Sequence, residues 1–247
     1  MQRRINRERV SPSLSMAGAL AAAATTFGCH FVDEYKQPGP AASATASGDG
    51  RSVTTSSLSA IWGSGPSDVW AVGTDGAMVH FDGRTWTAAK SGTTKSLSAV
   101  YGTAKDDVWA VGEDGITLHF DGTSWTQTNQ ADGMTLLGVW ASSKTEVWMC
   151  GIDDNVGLLR HYNGKVWENA AITASTSLWE VWGSGPKDVW MVGSNTKGGG
   201  FVLRGDGSHF DGFPYEGGSL RGIWGAGPDD VWASAYDGTL HHWDGKI

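Results

Sequence analysis

The sequence predicts an all-β protein, a β-propeller of five recognisable four-stranded blades, and three observations point there. One unit recurs five times between Leu58 and Ile247, each copy breaks into short strands at tight-turn signals, and the chain combines 36 Gly with 14 Trp among its 247 residues. Glycine weakens helices and strand interiors while tryptophan supplies very large apolar surfaces, so the pairing describes many tight turns around aromatic wedges. A chain of this length holds one sizeable core.

Residues 1–28 read as a signal peptide. Arg3, Arg4, Arg7 and Arg9 precede LSMAGALAAAATTFG, a basic region followed by an apolar, alanine-rich stretch that ends in small residues before Cys29. That is the layout of an export signal, and it is too short and too rich in small residues to read as a membrane-spanning helix. With Gly28 directly before Cys29 it resembles a bacterial lipoprotein signal. The resemblance implies cleavage before Cys29 and a diacylglyceryl group on its thiol, with the lipid as the only membrane contact. An ordinary secretory signal and an uncleaved anchor stay open as alternatives. Residues 29–57, rich in Pro, Ala, Ser, Thr and Gly without apolar periodicity, form a flexible tether.

The propeller spans 58–247, with repeats at about 58–96, 97–135, 136–177, 178–219 and 220–247. A first aromatic anchor falls at Trp62, Tyr101, Trp140, Trp182 and Trp224, and a second at Trp70, Trp109, Trp148, Trp190 and Trp232. In the first copy Leu58–Gly63 and Val69–Gly73 are strands separated by the turn SGPSD. Thr74–Gly76 is a turn, Ala77–Phe81 a third strand, Asp82–Gly83 a two-residue hairpin loop, and Arg84–Thr87 a fourth strand. Repeated four-stranded units of about 40 residues are the signature of radially stacked blades that hide their sheet edges. The fifth copy reaches only Asp244-Gly245-Lys246-Ile247, before its fourth strand. Gly48–Thr54, GDGRSVT, echoes the missing piece and is a candidate to close the ring; a three-stranded last blade and a truncated reading frame are the alternatives.

The pattern GPxDVWAVGxxGxxxHxDGxxW, present here as GPSDVWAVGTDGAMVHFDGRTW, resembles the DVWAVG-type propeller repeats of secreted bacterial proteins. It is similar in style to Asp-box (BNR) and kelch-like repeats, but Asp82-Gly83-Arg84-Thr85-Trp86 lacks the residue that Asp-box repeats place between Asp and Gly. The resemblance therefore carries no sialidase active site.

The repeated polar residues read as structural. The acids before each Val-Trp pair, Asp68, Asp107, Glu146, Asp188 and Asp230, are expected to accept backbone N–H bonds in the preceding turn. His80, His119, His161 and His242 sit on the third strands, too far apart to share a metal, and the fourth copy lacks its histidine. Cys150 replaces a valine and reads as a small buried residue. No catalytic residue, metal site or cofactor motif is identified.

Function is expected where the copies differ. Blades 3 and 4 lengthen the loop after the second strand, on the face shared with the blade-to-blade connections. The candidate ligand-binding residues there are Asp153, Asp154, Asn155, Trp179, Tyr215 and Glu216; neutral loop drift is the alternative. A net charge of −8, about −11 once residues 1–28 are removed, disfavours a nucleic-acid partner. The reading is a non-catalytic binding or scaffold propeller, exported to the cell envelope as an outer-membrane lipoprotein or released, with a protein or glycan ligand. A glycan-processing propeller enzyme and a structural part of a larger envelope assembly are the alternatives.

Overall fold

The computed structural model describes residues 53–129, 133–154, 156–172 and 176–246. They form five antiparallel blades. Blade 1 contains β1 (Leu58–Gly65), β2 (Asp68–Gly73), β3 (Met78–Phe81) and β4 (Trp86–Ala88); blade 2 contains β5 (Leu97–Ala104), β6 (Asp107–Gly112), β7 (Thr117–Phe120) and β8 (Trp125–Asn129). Blade 3 contains β9 (Thr135–Ser143), β10 (Glu146–Asp153), β11 (Val156–Tyr162) and β12 (Trp167–Asn169). Blade 4 contains β13 (Thr176–Gly185), β14 (Asp188–Asn195), β15 (Gly199–Gly205) and β16 (Phe210–Gly218), and blade 5 contains β17 (Leu220–Gly227), β18 (Asp230–Ala235) and β19 (Leu240–Trp243). In each blade the strands pair in chain order, first strand innermost. The fold is a five-blade propeller whose last blade has three strands among the described residues. Val53–Ser57 forms no strand, and Gly48–Ser52 lies outside the described residues, as do the signal segment and Cys29.

In blades 2 to 4 the second strand is packed on both faces by neighbouring blades, so its sequence is a continuous apolar run rather than an alternating one. In β6 all six residues are buried. The anchors make the junctions. The ring edge of Trp62 lies where a Cβ on Gly102 would stand 2.6 Å away, and Trp140 over Gly183 and Trp182 over Gly225 repeat that approach at 2.6 Å. Only a hydrogen fits at such a contact, which is why glycine follows the first anchor in the next blade. The second anchor wedges against the outer aromatics of the next blade: Trp70 against Phe120 and Trp125, Trp109 against Tyr162 and Trp167, Trp148 against Phe210, and Trp190 against Trp243.

Two local expectations need correction. The Asp-Gly hairpin is a four-residue loop, not two: Phe81 pairs with Trp86, Asp82 N–H bonds to Thr85 O, and Asp82 Oδ1 accepts the N–H groups of Arg84 and Thr85. The Asp side chain itself organises the turn, so only Gly83 needs positive φ, at 92°. The acids before Val-Trp do not accept turn N–H groups. Asp68 Oδ1 lies 2.6 Å from His80 Nε2, and its Oδ2 accepts from Ser64 Oγ. The histidine in turn stacks on the second-anchor tryptophan, with centroids 4.1 Å apart for Trp70 and His80. This acid–histidine–tryptophan stack recurs through Asp107–His119–Trp109, Glu146–His161–Trp148 and Asp230–His242–Trp232. In blade 4 Arg204 replaces the histidine: its Nε bonds to Asp188 Oδ1 at 2.7 Å and its guanidinium lies 4.4 Å over Trp190. A planar cation that donates and stacks fills the same role.

Candidate functional site

Near the start of the first strand of every blade, a residue bulges out of register with the second strand: Ser59, Ser98, Leu137, Trp179 and Arg221. A bulge adds a residue that the ladder does not use and re-aims its side chain. In blades 4 and 5 that residue is large. The guanidinium carbon of Arg221 sits 3.7 Å from the centroid of Trp179 and 5.3 Å from that of Tyr236, at the end of β18. Trp179 is held by its own N–H, which donates to Ser194 Oγ at 3.3 Å. Arg221 is exposed and makes no ion pair among the described residues, and Tyr236 is 79% exposed. The result is an exposed cationic arginine framed by two aromatic rings.

The structure therefore places Trp179 in an aromatic–arginine cluster at the junction of blades 4 and 5. Tyr215 reaches the same junction farther out, its hydroxyl 2.6 Å from His241 Nε2 on β19, while His241 also meets Thr239 Oγ1 at 3.0 Å. Asp153 ends β10 and Asp154 turns the corner with φ 44°. That corner makes no hydrogen bond or ion pair with Trp179 or Tyr215 among the described residues. Asn155 lies outside the described residues; Glu216 is described only as part of the backbone of β16.

Arg221, Tyr236 and Glu180 were not expected. Aligning the copies flags the first and the last: the Arg221 column reads Ser, Ser, Leu, Trp, Arg, and the Glu180 column reads Ala60, Ala99, Gly138, Glu180, Gly222. Glu180 crosses from β13 to blade 5, where its Oε2 accepts the Ile223 N–H at 2.8 Å. Glycines on both sides make room. A carbon on Gly138 would stand 3.0 Å from Glu180 Cα, and one on Gly222 would stand 3.3 Å from Oε2. Burial pushes the Glu180 carboxyl up to about 7, the Ile223 N–H acting against that rise. Burial, reinforced by the nearby Glu180 charge, also pushes the Cys150 thiol well above its ordinary range. No group of three or more His, Cys, Asp or Glu residues able to hold a metal occurs among the described residues.

Surface depressions lie away from the cluster. One lies between blades 1 and 2, walled by Lys90, Ser91, Thr94, Lys95 and Ile116, and another is walled by Asp188, Arg204, Asp206 and His209. Neither is lined by the cluster, which stands as an open platform.

No protein-family model matches this chain, and no curated protein matches its sequence. Solved propellers do. The chain is similar to the RRP9 WD40 repeats (TM-score 0.61, 12% identity, covering 77% of this chain and 61% of that one). It is similar to a chain of the mitotic checkpoint complex (TM-score 0.58, 12% identity, 72% and 59%) and to streptogramin B lyase (TM-score 0.58, 14% identity, 76% and 69%). It spans about three-fifths of the length of the first two of these. At such identity the likeness shows the β-propeller fold.

Proposed function

We propose that this chain is a non-catalytic propeller scaffold that binds a protein partner on the face carrying Trp179, Arg221 and Tyr236, with Asp153, Asp154 and Tyr215 extending that face. The observation that carries the reading is the shape of the cluster. Small-molecule and substrate sites are concave and enclose most of their ligand, whereas an exposed aromatic–arginine platform matches the anchors that dominate protein interfaces. Arg221 presents a fork of donors already oriented by stacking, which favours a carboxylate on the partner, from an acidic side chain or a chain terminus. Similarity to a chain taken from a multiprotein assembly agrees with a scaffold role. The setting we propose is the cell envelope, with the lipid on Cys29 as tether.

A photo-crosslinking amino acid at position 236, compared with one at position 206, tests this. A protein adduct formed in cells from 236 but not from 206, and lost on Arg221→Ala, is expected. No adduct, equal adducts from both positions, or binding that a glycan array accounts for overturns the reading.

A further inference from the structure

Where this chain sets an ionisable side chain into a junction between blades, it supplies a partner. Arg204 has Asp188, His241 has the Tyr215 hydroxyl of the preceding blade, and Glu180 has the Ile223 N–H of the next. Arg160 is the exception. Paired with Met149 across the β10–β11 ladder, it stands in a column that reads Val79, Leu118, Arg160, Leu203 and His241. Val79, Leu118 and Leu203 are each at most 1% exposed, so the position is built for a buried aliphatic residue.

That column places Arg160 at the junction of blades 2 and 3. Its ladder partner Met149 meets the buried Thr117 hydroxyl of blade 2, with Oγ1 3.7 Å from Sδ. The Arg160 guanidinium carbon lies 5.9 Å from the centroid of Trp167, the ring that Trp109 of blade 2 meets edge-on. Arg160 Nε and Nη1 are buried, and the side chain makes no hydrogen bond or ion pair among the described residues. The other buried side-chain atoms without a partner among those residues are neutral, the indole N–H groups and Ser219 Oγ. The side chain as a whole is half-buried, and Nη2 is not one of the enclosed atoms. Burial pulls the Arg160 pKa below its ordinary value, although an arginine keeps its charge at any working pH. An enclosed, unanswered cation costs stability, and Leu118 and Leu203 show that the fold does not require it.

We propose that Arg160 binds an oxyanion, a carboxylate or a phosphate group, at the outer end of the junction between blades 2 and 3. The ligand class follows from the donor. A guanidinium spreads its charge over three nitrogens, so an anion taken at Nη2 also answers the charge on the enclosed Nε and Nη1, and carboxylate and phosphate are the groups that match its donor geometry. Packing beside Trp167 and Met149 already limits the side chain, so little of its freedom is lost on binding. This site is separate from the Trp179–Arg221–Tyr236 platform and does not rest on it.

The test uses the full chain in chloride, to which inorganic phosphate or acetate is added at constant ionic strength. At least one of the two anions is expected to raise Tm saturably, by about 3–6 °C at ten times its Kd, and to shift one arginine Nε–H resonance in step. Arg160→Leu takes the residue of blades 2 and 4. It is expected to melt within about 2 °C of wild type in chloride, or above it, and to lose both responses. The general effect of each salt on stability is common to the two proteins and cancels. Arg221→Ala is expected to keep both responses. A response to one anion alone supports the site and assigns its class. A wild type with no saturable response to either anion overturns the proposal. So does a response that survives Arg160→Leu or disappears in Arg221→Ala, which would put the anion on another residue. An Arg160→Leu protein that melts far below wild type in chloride overturns it too, since the junction itself would then account for the guanidinium.

Discussion

Replacing Glu180 with Gln removes a charge and keeps an oxygen for the Ile223 N–H, and it is expected to stabilise the protein at alkaline pH. The carboxyl is pushed from 4.5 to about 7 by burial. Between those values the folded state binds a proton that the unfolded state has released. Stability therefore falls as pH rises through this window, and the loss is complete above the folded value. At about 1.4 kcal/mol per unit the full shift corresponds to roughly 3 kcal/mol, an upper figure for a group with some access to water. Glu180→Gln carries no such loss. It is expected to match wild type near pH 4 and to exceed it by about 2–3 kcal/mol at pH 8, or about 4–10 °C in Tm for a domain of this size. Urea unfolding of both proteins from pH 4 to 8 measures the difference. Every other group is common to both proteins and cancels, and burial holds the Cys150 thiol well above its ordinary range. A difference that is flat across pH 5 to 7.5, or a Gln variant less stable than wild type at pH 8, refutes the assignment of a neutral, buried carboxyl.

The repeated stack predicts a graded cost. Asp107 is fully buried, and its bonds from His119 and Thr103 outweigh the burial that pushes its carboxyl up, so its pKa falls below the usual range. Asp107→Ala is expected to cost about 2–4 kcal/mol by leaving His119 and Thr103 unpaired, whereas Asp230→Ala, at a side chain 50% exposed, costs less than about 1. Equal losses in chemical denaturation would refute the role of burial, and the Asp107 contribution should fade as pH falls through the carboxylate range. At Gly76, φ is 70° and an added carbon would stand 2.1 Å from Thr93 O, so Gly76→Ala is expected to cost about 2–4 kcal/mol. Gly92→Ala, also at positive φ but facing open space, should cost only about 1. Similar melting temperatures for the two would show that the backbone at Thr93 yields.

What could be read from the residues follows from what repeats. Strand limits, blade order and the buried face of each strand come from patterns copied five times, and a local motif carries enough physics to place them. Pairing across strands does not. The bond from His80 to Asp68 joins residues 12 apart, the bond from His161 to Glu146 joins residues 15 apart, and Arg204 breaks the residue type altogether. Only the ladder register brings each pair together. The Asp-Gly signal points to a two-residue turn, but the capacity of Asp82 to accept two N–H groups of its own loop competes with that geometry and wins. At the site, Trp179 was visible as a tryptophan out of step with the anchors. Arg221 stands out only once the copies are aligned column by column, and its importance depends on a bulge that aims it at the ring of the preceding blade.

Apart from Arg160, the departures from the repeat gather at one junction. Trp179, Glu180 and Arg204 belong to blade 4, Arg221 and Tyr236 to blade 5, and the Glu180 carboxylate ties β13 to β17 beside the two bulged residues. Four copies show that alanine or glycine serves in the Glu180 column, and burial of a carboxyl there weakens the fold at neutral pH. A residue that costs stability where its own repeats supply a cheaper choice is not explained by packing. Its bond to the Ile223 N–H fixes the spacing of the inner strands from which Trp179 and Arg221 project, and so holds the arginine over the indole. On this reading the regular blades provide the rigid frame, and the irregular junction between blades 4 and 5 carries the recognition.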